Sequence, residues 1–182
     1  LLLCDEDETQ ERIDYAAPRI RFFGKDGIPT ERRLSALLAY AAQLQPALSG
    51  VLLTGDILDF PSERNRSFLR QALADLPVPC FYVPGNHDKR YAIEPPQGCA
   101  CIDGKLLVWR GIRILGLGGC KTPRGLLYEY TDRQMWGKVR RLEPAIRRAG
   151  GIDILVTHAP ARGLGDGSDS FHEGFDAFRY LD

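Results

Sequence analysis

The chain has 182 residues, long enough for one domain with a sizeable core and short for two. Hydrophobic residues at 44% and charged residues at 26% are ordinary for a soluble globular protein, and Lys plus Arg balance Asp plus Glu at 24 each. No global charge therefore advertises nucleic-acid or anionic-membrane binding, although a local basic patch keeps nucleic-acid substrates open.

No apolar run approaches the ~20 residues needed to span a bilayer, so no membrane association is expected. The five cysteines form an odd set without zinc-ribbon spacing, and they read as reduced thiols of a cytoplasmic protein. The missing initiator Met and the end in a helix-like segment suggest a single domain over 1–182 that is incomplete at both ends.

Leu1 to Cys4 is a short apolar run followed by Asp5, Glu6, Asp7 and Glu8, the pattern of a first strand delivering carboxylates to a site. Thr9 to Pro29 has no clean period and reads as an irregular surface connection in preference to a helix and loop that flank the crevice and supply substrate contacts. Thr30 then caps a helix whose Leu34, Leu37, Leu38, Ala41 and Leu44 should pack on a sheet.

Val51 to Thr54 and Cys80 to Val83 are continuous apolar runs with a helical stretch between them, as expected of buried parallel strands. Pro61 and Ser62 open that helix, and Leu69, Ala72, Leu73 and Leu76 form its stripe. Each strand runs into a polar loop, Gly55-Asp56 after the first and Gly85-Asn86-His87-Asp88 after the second. Ligands gather beyond the carboxyl ends of parallel strands, so Asp56, Asn86 and His87 should face one crevice. An acid, an amide oxygen and an imidazole there suit a divalent metal.

Lys105 to Trp109 and Ile112 to Leu117 read as a hairpin turning at Arg110-Gly111. Thr131 and Gln134 make a capping box for a helix that buries Met135, Val139, Leu142 and Ile146 and stops at Gly150. Ile152 to Val156 is a further strand, ending at Thr157-His158. His172 reads as structural or substrate-facing, ahead of a last helix begun between Gly174 and Leu181.

Gly-Asp at 55–56, Gly-Asn-His-Asp at 85–88 and Thr-His-Ala-Pro at 157–160, in that order, resemble the signature blocks of the calcineurin-like metallophosphoesterases. The resemblance implies an α/β fold, the layered αββα sandwich, with its C-terminal part missing because no closing Gly-His-x-His block follows. It implies two divalent cations, Mn²⁺ foremost with Fe, Zn or Mg as alternatives, and a bridging hydroxide that attacks a phosphomonoester or phosphodiester. Asp56 would bridge the metals, Asp5 and Asp7 would hold one, and Asn86 and His158 the other. His87 would act as general acid, with Asp88 fixing its tautomer. Asp7 stands where the family has histidine, which makes the site harder.

The expected partner is a phosphoester small molecule or nucleotide. Two rivals remain at this point. One is a metal- or phosphate-binding regulatory module with a degraded site. The other is a haloacid-dehalogenase-type phosphatase, in which a strand leads into Asp5 as nucleophile and Asp7 as acid/base.

Overall fold

The computed structural model describes residues 1–60, 62–89, 96–122, 124–169 and 172–181. Pro61, expected at the opening of the second helix, lies outside them. The elements in chain order are α1 (Gln10–Phe23), α2 (Thr30–Ala41), β1 (Val51–Leu53), α3 (Glu63–Ala74), β2 (Cys80–Tyr82), β3 (Cys99–Cys101), β4 (Lys105–Trp109), β5 (Ile112–Leu117), β6 (Cys120–Lys121), β7 (Glu129–Tyr130), α4 (Asp132–Ala149), β8 (Ile154–Thr157) and α5 (Asp176–Arg179).

Strands β1, β2 and β3 form an all-parallel sheet. A second sheet has the order β4-β5-β8, with β4 antiparallel and β8 parallel to β5. The β4-β5 hairpin turns through Arg110 and Gly111, both at positive φ, which is the two-residue turn whose twist matches the strands.

Side chains alternate between the faces of each strand, and the apolar clusters follow that period of two. Cys80 and Tyr82 of β2 pack with Leu69 and Leu73 of α3, whereas Phe81 and the following Val83 pack with Ile114 of β5 and Val156 of β8. From the other face of β5, Leu115 and Leu117 join Met135 and Val139 of α4 and Phe178 of α5. Continuous apolar runs are thus needed in β2 and β5 because both faces are covered.

Helix α4 follows its sequence signals closely. Thr131 and Gln134 form the reciprocal capping box, and Gly150 ends the helix in the left-handed conformation. Removing the cap with Thr131→Ala is expected to destabilise the protein by about 1 kcal/mol. A thermal melt should show this as a fall in Tm of roughly 2–4 °C.

Five expectations fail. Leu1 to Cys4 is not a strand, because the buried side chain of Asn65 takes the backbone of Leu3 in place of a neighbouring strand. Its Oδ1 accepts from the Leu3 N–H at 2.9 Å and its Nδ2 donates to the Leu3 carbonyl at 3.0 Å. The stretch read as an irregular connection is instead helix α1. Ala16 is its one buried residue, packed against Leu2 and Phe60, while Ile13, Ile20 and Phe23 at the same helical spacing stay exposed.

Helix α2 buries no residue, and only Leu34 reaches the cluster around Leu69. Its N-cap is Pro29, with Thr30 already inside the helix. Lastly, Cys80 and Cys99 are not free thiols but form a disulfide across the β2–β3 pair, with Cα atoms 4.6 Å apart. The parallel register makes those two residues direct partners, a pairing that cysteine counting does not reveal. Among the described residues no helix is long and apolar enough to cross a membrane.

Candidate active site

The loops that follow β1 and β2 interlock. Gly55 at φ 92° lets the chain turn sharply out of β1, and Asp56 follows at φ 49°, a left-handed conformation that aspartate tolerates better than most residues. The His87 N–H donates to Asp56 Oδ1 at 3.0 Å, tying the second loop to the first.

Asp88 completes the strap from below. Its buried carboxylate accepts from the N–H of Gly85 at 2.8 Å and of Ile57 at 3.0 Å, so one side chain holds both loops. Burial, and then the nearby Asp56 charge, push its pKa up from the ordinary carboxylate value, while the backbone N–H bonds oppose the rise.

Asp88 therefore does not fix the His87 tautomer. That task falls to Asp59, whose Oδ1 lies 2.7 Å from His87 Nδ1. The bond to Asp59 raises the His87 pKa against the opposing effect of burial. Burial also opposes ionisation of Asp59, but the bond and charge of His87 and the charge of Arg19 outweigh it and hold the carboxyl below its usual range. With Nδ1 occupied, Nε2 is the nitrogen left to exchange a proton with a ligand.

His158, at the end of β8, reaches the same place. Its Nδ1 donates to the Thr54 carbonyl at 2.9 Å, and its Nε2 lies 3.5 Å from Asp56 Oδ2. An imidazolium would donate to Asp56 there, whereas in the neutral ring with its proton on Nδ1, Nε2 presents a lone pair to the carboxylate and two acceptors face each other. A divalent cation satisfies both, and a backbone carbonyl behind the imidazole is the usual support for a metal-binding histidine. Asn86 lines the same cavity and adds an amide oxygen.

Asp56, Asn86 and His158 thus line one cavity, and their donor types suit a divalent cation. Among the described residues no three His, Cys, Asp or Glu side chains converge as ligands.

The two remaining expected ligands are not brought to this point. Asp5 caps α3, its carboxylate accepting from the N–H of Glu63 at 2.9 Å and of Arg64 at 2.8 Å, and those bonds lower its pKa. Asp7 is exposed and is not among the residues lining the cavity. The strand leading into Asp5 that a haloacid-dehalogenase mechanism requires is absent as well.

The cavity has a volume of about 850 Å³, far more than a phosphoryl group fills. One wall comes from α1, through Arg12, Tyr15 and Arg19. Lys89 and Arg124 line it elsewhere and share the fully buried carboxylate of Glu129, at 3.6 and 2.7 Å. Cys120 also contributes, with a thiol that burial pushes up to about 11, so it stays protonated at neutral pH.

Sequence reasoning did not pair Asp59 with His87, and it ranked a helix beside the crevice second for the stretch that forms the α1 wall. Asp59 stands three residues after Asp56, the one local signal that was available. Arg12, Tyr15 and Arg19 recur at helical spacing, but only for a reader who already knows that α1 is a helix.

Residues 30–181 match the family described as calcineurin-like phosphoesterase. This chain belongs to that family. It is 37% identical over 78 residues to a probable cyclic nucleotide phosphodiesterase of Rhodopseudomonas palustris, a match covering 43% of this chain and 27% of the relative. It is 31% identical over 68 residues to a 3',5'-cyclic-nucleotide phosphodiesterase of Nostoc sp., covering 37% of this chain and 26% of that protein. The matched stretch thus spans about a quarter of either relative's length. A phosphoesterase of this family hydrolyses ester bonds at phosphorus, and its members generally use divalent metals.

Proposed function

We propose that this chain hydrolyses a phosphodiester of the cyclic-nucleotide type at a centre of divalent cations, Mn²⁺ foremost. The observation that carries the reading is the pairing of two devices within one cavity. His158 Nε2 faces Asp56 Oδ2 at 3.5 Å, and beside them His87 is held by Asp59 at 2.7 Å. The names of the two relatives support the substrate class. The two three-stranded sheets, flanked by α3 on one side and α4 on the other, fit one domain built as an αββα sandwich.

Bound cations supply charge to the phosphoryl oxygens and acidify a water for attack. Asp56, Asn86 and His158 would hold one of them. A dinuclear centre would also draw on Asp5 and Asp7, with Asp56 shared, and Asp5 would have to leave the α3 N-terminus to take part. His87 Nε2 donates a proton to the leaving oxygen, and Asp59 keeps that nitrogen in the donor state.

Mn²⁺ titration calorimetry on the native protein, Asp56→Asn and Asp5→Ala tests this reading, together with hydrolysis of a 3',5'-cyclic nucleotide. Two sites, both weakened by Asp56→Asn and one removed by Asp5→Ala, are expected for the dinuclear centre. A single site that is lost in Asp56→Asn and indifferent to Asp5→Ala would reduce the centre to one cation.

The engagement of Asp5 at α3 favours one second reading, a metal-binding regulatory module. Mn²⁺ binding without turnover of any phosphoester would establish that alternative, and no binding by the folded chain would remove both.

A further inference from the structure

The reaction at phosphorus accounts for one end of the cavity and leaves the α1 wall without a task. Tyr15 lines that wall with 54% of its surface exposed, although its neighbour Ala16 is completely buried against Leu2 and Phe60. The helix is therefore anchored beside the ring, and the ring itself is left open to the cavity.

One face of the ring is already occupied. The Arg19 guanidinium lies over it, 4.7 Å from the centroid. Arg19 Nε also pairs with Asp59 Oδ2 at 3.1 Å, and Asp59 Oδ1 holds His87. A continuous chain of contacts thus fixes the aromatic ring relative to the imidazole that would protonate a leaving group.

From this arrangement we propose that Tyr15 is a stacking platform for a planar ring carried by the esterified alcohol, which makes the ligand class a nucleotide and not an alkyl phosphoester. The inference deepens the phosphodiesterase reading and rests on it for the position of the phosphate. An exposed aromatic face in a cavity with room beyond the phosphoryl group offers a flat heterocycle its largest apolar contact. Arg19 behind the ring holds it in one orientation, so less freedom is lost on binding.

The test is equilibrium binding by calorimetry in the presence of Mn²⁺, with three probes: 5'-AMP, ribose 5-phosphate and inorganic phosphate. The native protein is expected to favour 5'-AMP over ribose 5-phosphate by about tenfold or more, the usual scale of base–aromatic stacking. Tyr15→Leu should lower 5'-AMP affinity to that of ribose 5-phosphate, whereas Tyr15→Phe should retain the preference. Ribose 5-phosphate should bind all three proteins alike, which also reports that the variants are folded.

The proposal is overturned if Tyr15→Leu keeps the native 5'-AMP affinity, or if the native protein does not distinguish the two phosphates. Failure of the hydrolytic reading looks different. A Tyr15-dependent preference for 5'-AMP in a protein that cleaves no phosphoester would remove the enzyme and keep the platform, and cleavage without ring preference would do the reverse.

Discussion

Gly85→Ala is expected to abolish Mn²⁺ binding at the Asp56 site and to reduce phosphodiester hydrolysis at least about 10²-fold. A Cβ on Gly85 would stand 2.0 Å from Asp56 Oδ1 and 2.6 Å from the Asp56 backbone nitrogen. The side-chain oxygen could swing away, but only by abandoning the bond from the His87 N–H and the face it presents to His158. The backbone nitrogen cannot move independently of its loop.

Relief has to come from separating the two loops, and that works against the Asp88 carboxylate that straps them together. Overpacking of this kind destabilises by typically about 1–3 kcal/mol, so the Tm should fall as well. Gly137→Ala in the interior of α4 is the matched control. There the new Cβ meets nothing closer than Arg141 Nη2 at 4.0 Å. That variant should gain roughly 0.5–1 kcal/mol from a better helix former and keep its activity. Native-like metal affinity in Gly85→Ala would show that the loops are not locked as described.

The same interlocking explains what was legible in the sequence. Gly-Asp and Gly-Asn-His-Asp could be recognised because backbone crowding dictates the glycines and chemistry dictates the polar residues. Gly55 faces a comparable constraint, with a Cβ there lying 2.6 Å from the Gly85 nitrogen and 2.7 Å from His158 Nδ1. Helix α4 was legible for a different reason, since its cap, its stripe and its terminal glycine are all local signals.

What failed to show depends on tertiary partners. The extended run at Leu1 to Cys4 resembles a strand in composition, yet its hydrogen bonds go to Ile57, Phe60, Ser62 and the Asn65 side chain and not to a neighbouring strand. Helix α1 carries Ile13, Ala16, Ile20 and Phe23 at helical spacing, but only Ala16 is buried, so that pattern says nothing of the wall the helix contributes to the cavity. Asp5 fits a metal ligand by sequence position, but a carboxylate is equally suited to the N-terminus of a helix, and here α3 takes it.

Asp88 and Asp59 illustrate the same limit from inside the motif, because the acid adjacent to His87 in sequence bonds to backbone, and the one 28 positions earlier bonds to the imidazole. Removing that imidazole with His87→Ala should slow a cyclic nucleotide, whose leaving group is a poorly stabilised alkoxide, by about 10²–10⁴-fold. A p-nitrophenyl phosphodiester needs little protonation of its leaving oxygen and should lose much less. Asp59→Asn should reproduce this leaving-group dependence at smaller amplitude. The amide removes the charge that favours the imidazolium, and its NH₂ can instead donate to Nδ1, which leaves the proton on Nε2 but makes the ring a neutral and much weaker acid.

Since Asp59 acts through His87, the two substitutions should not multiply. The double variant should be no slower than His87→Ala on the cyclic nucleotide, as expected of groups that work as a unit. Equal slowing of both substrates by Asp59→Asn would instead assign the carboxylate a structural part through its ion pair with Arg19. Multiplicative losses in the double variant would give it a contact of its own with the ligand, and either result would break the link between Asp59 and proton transfer.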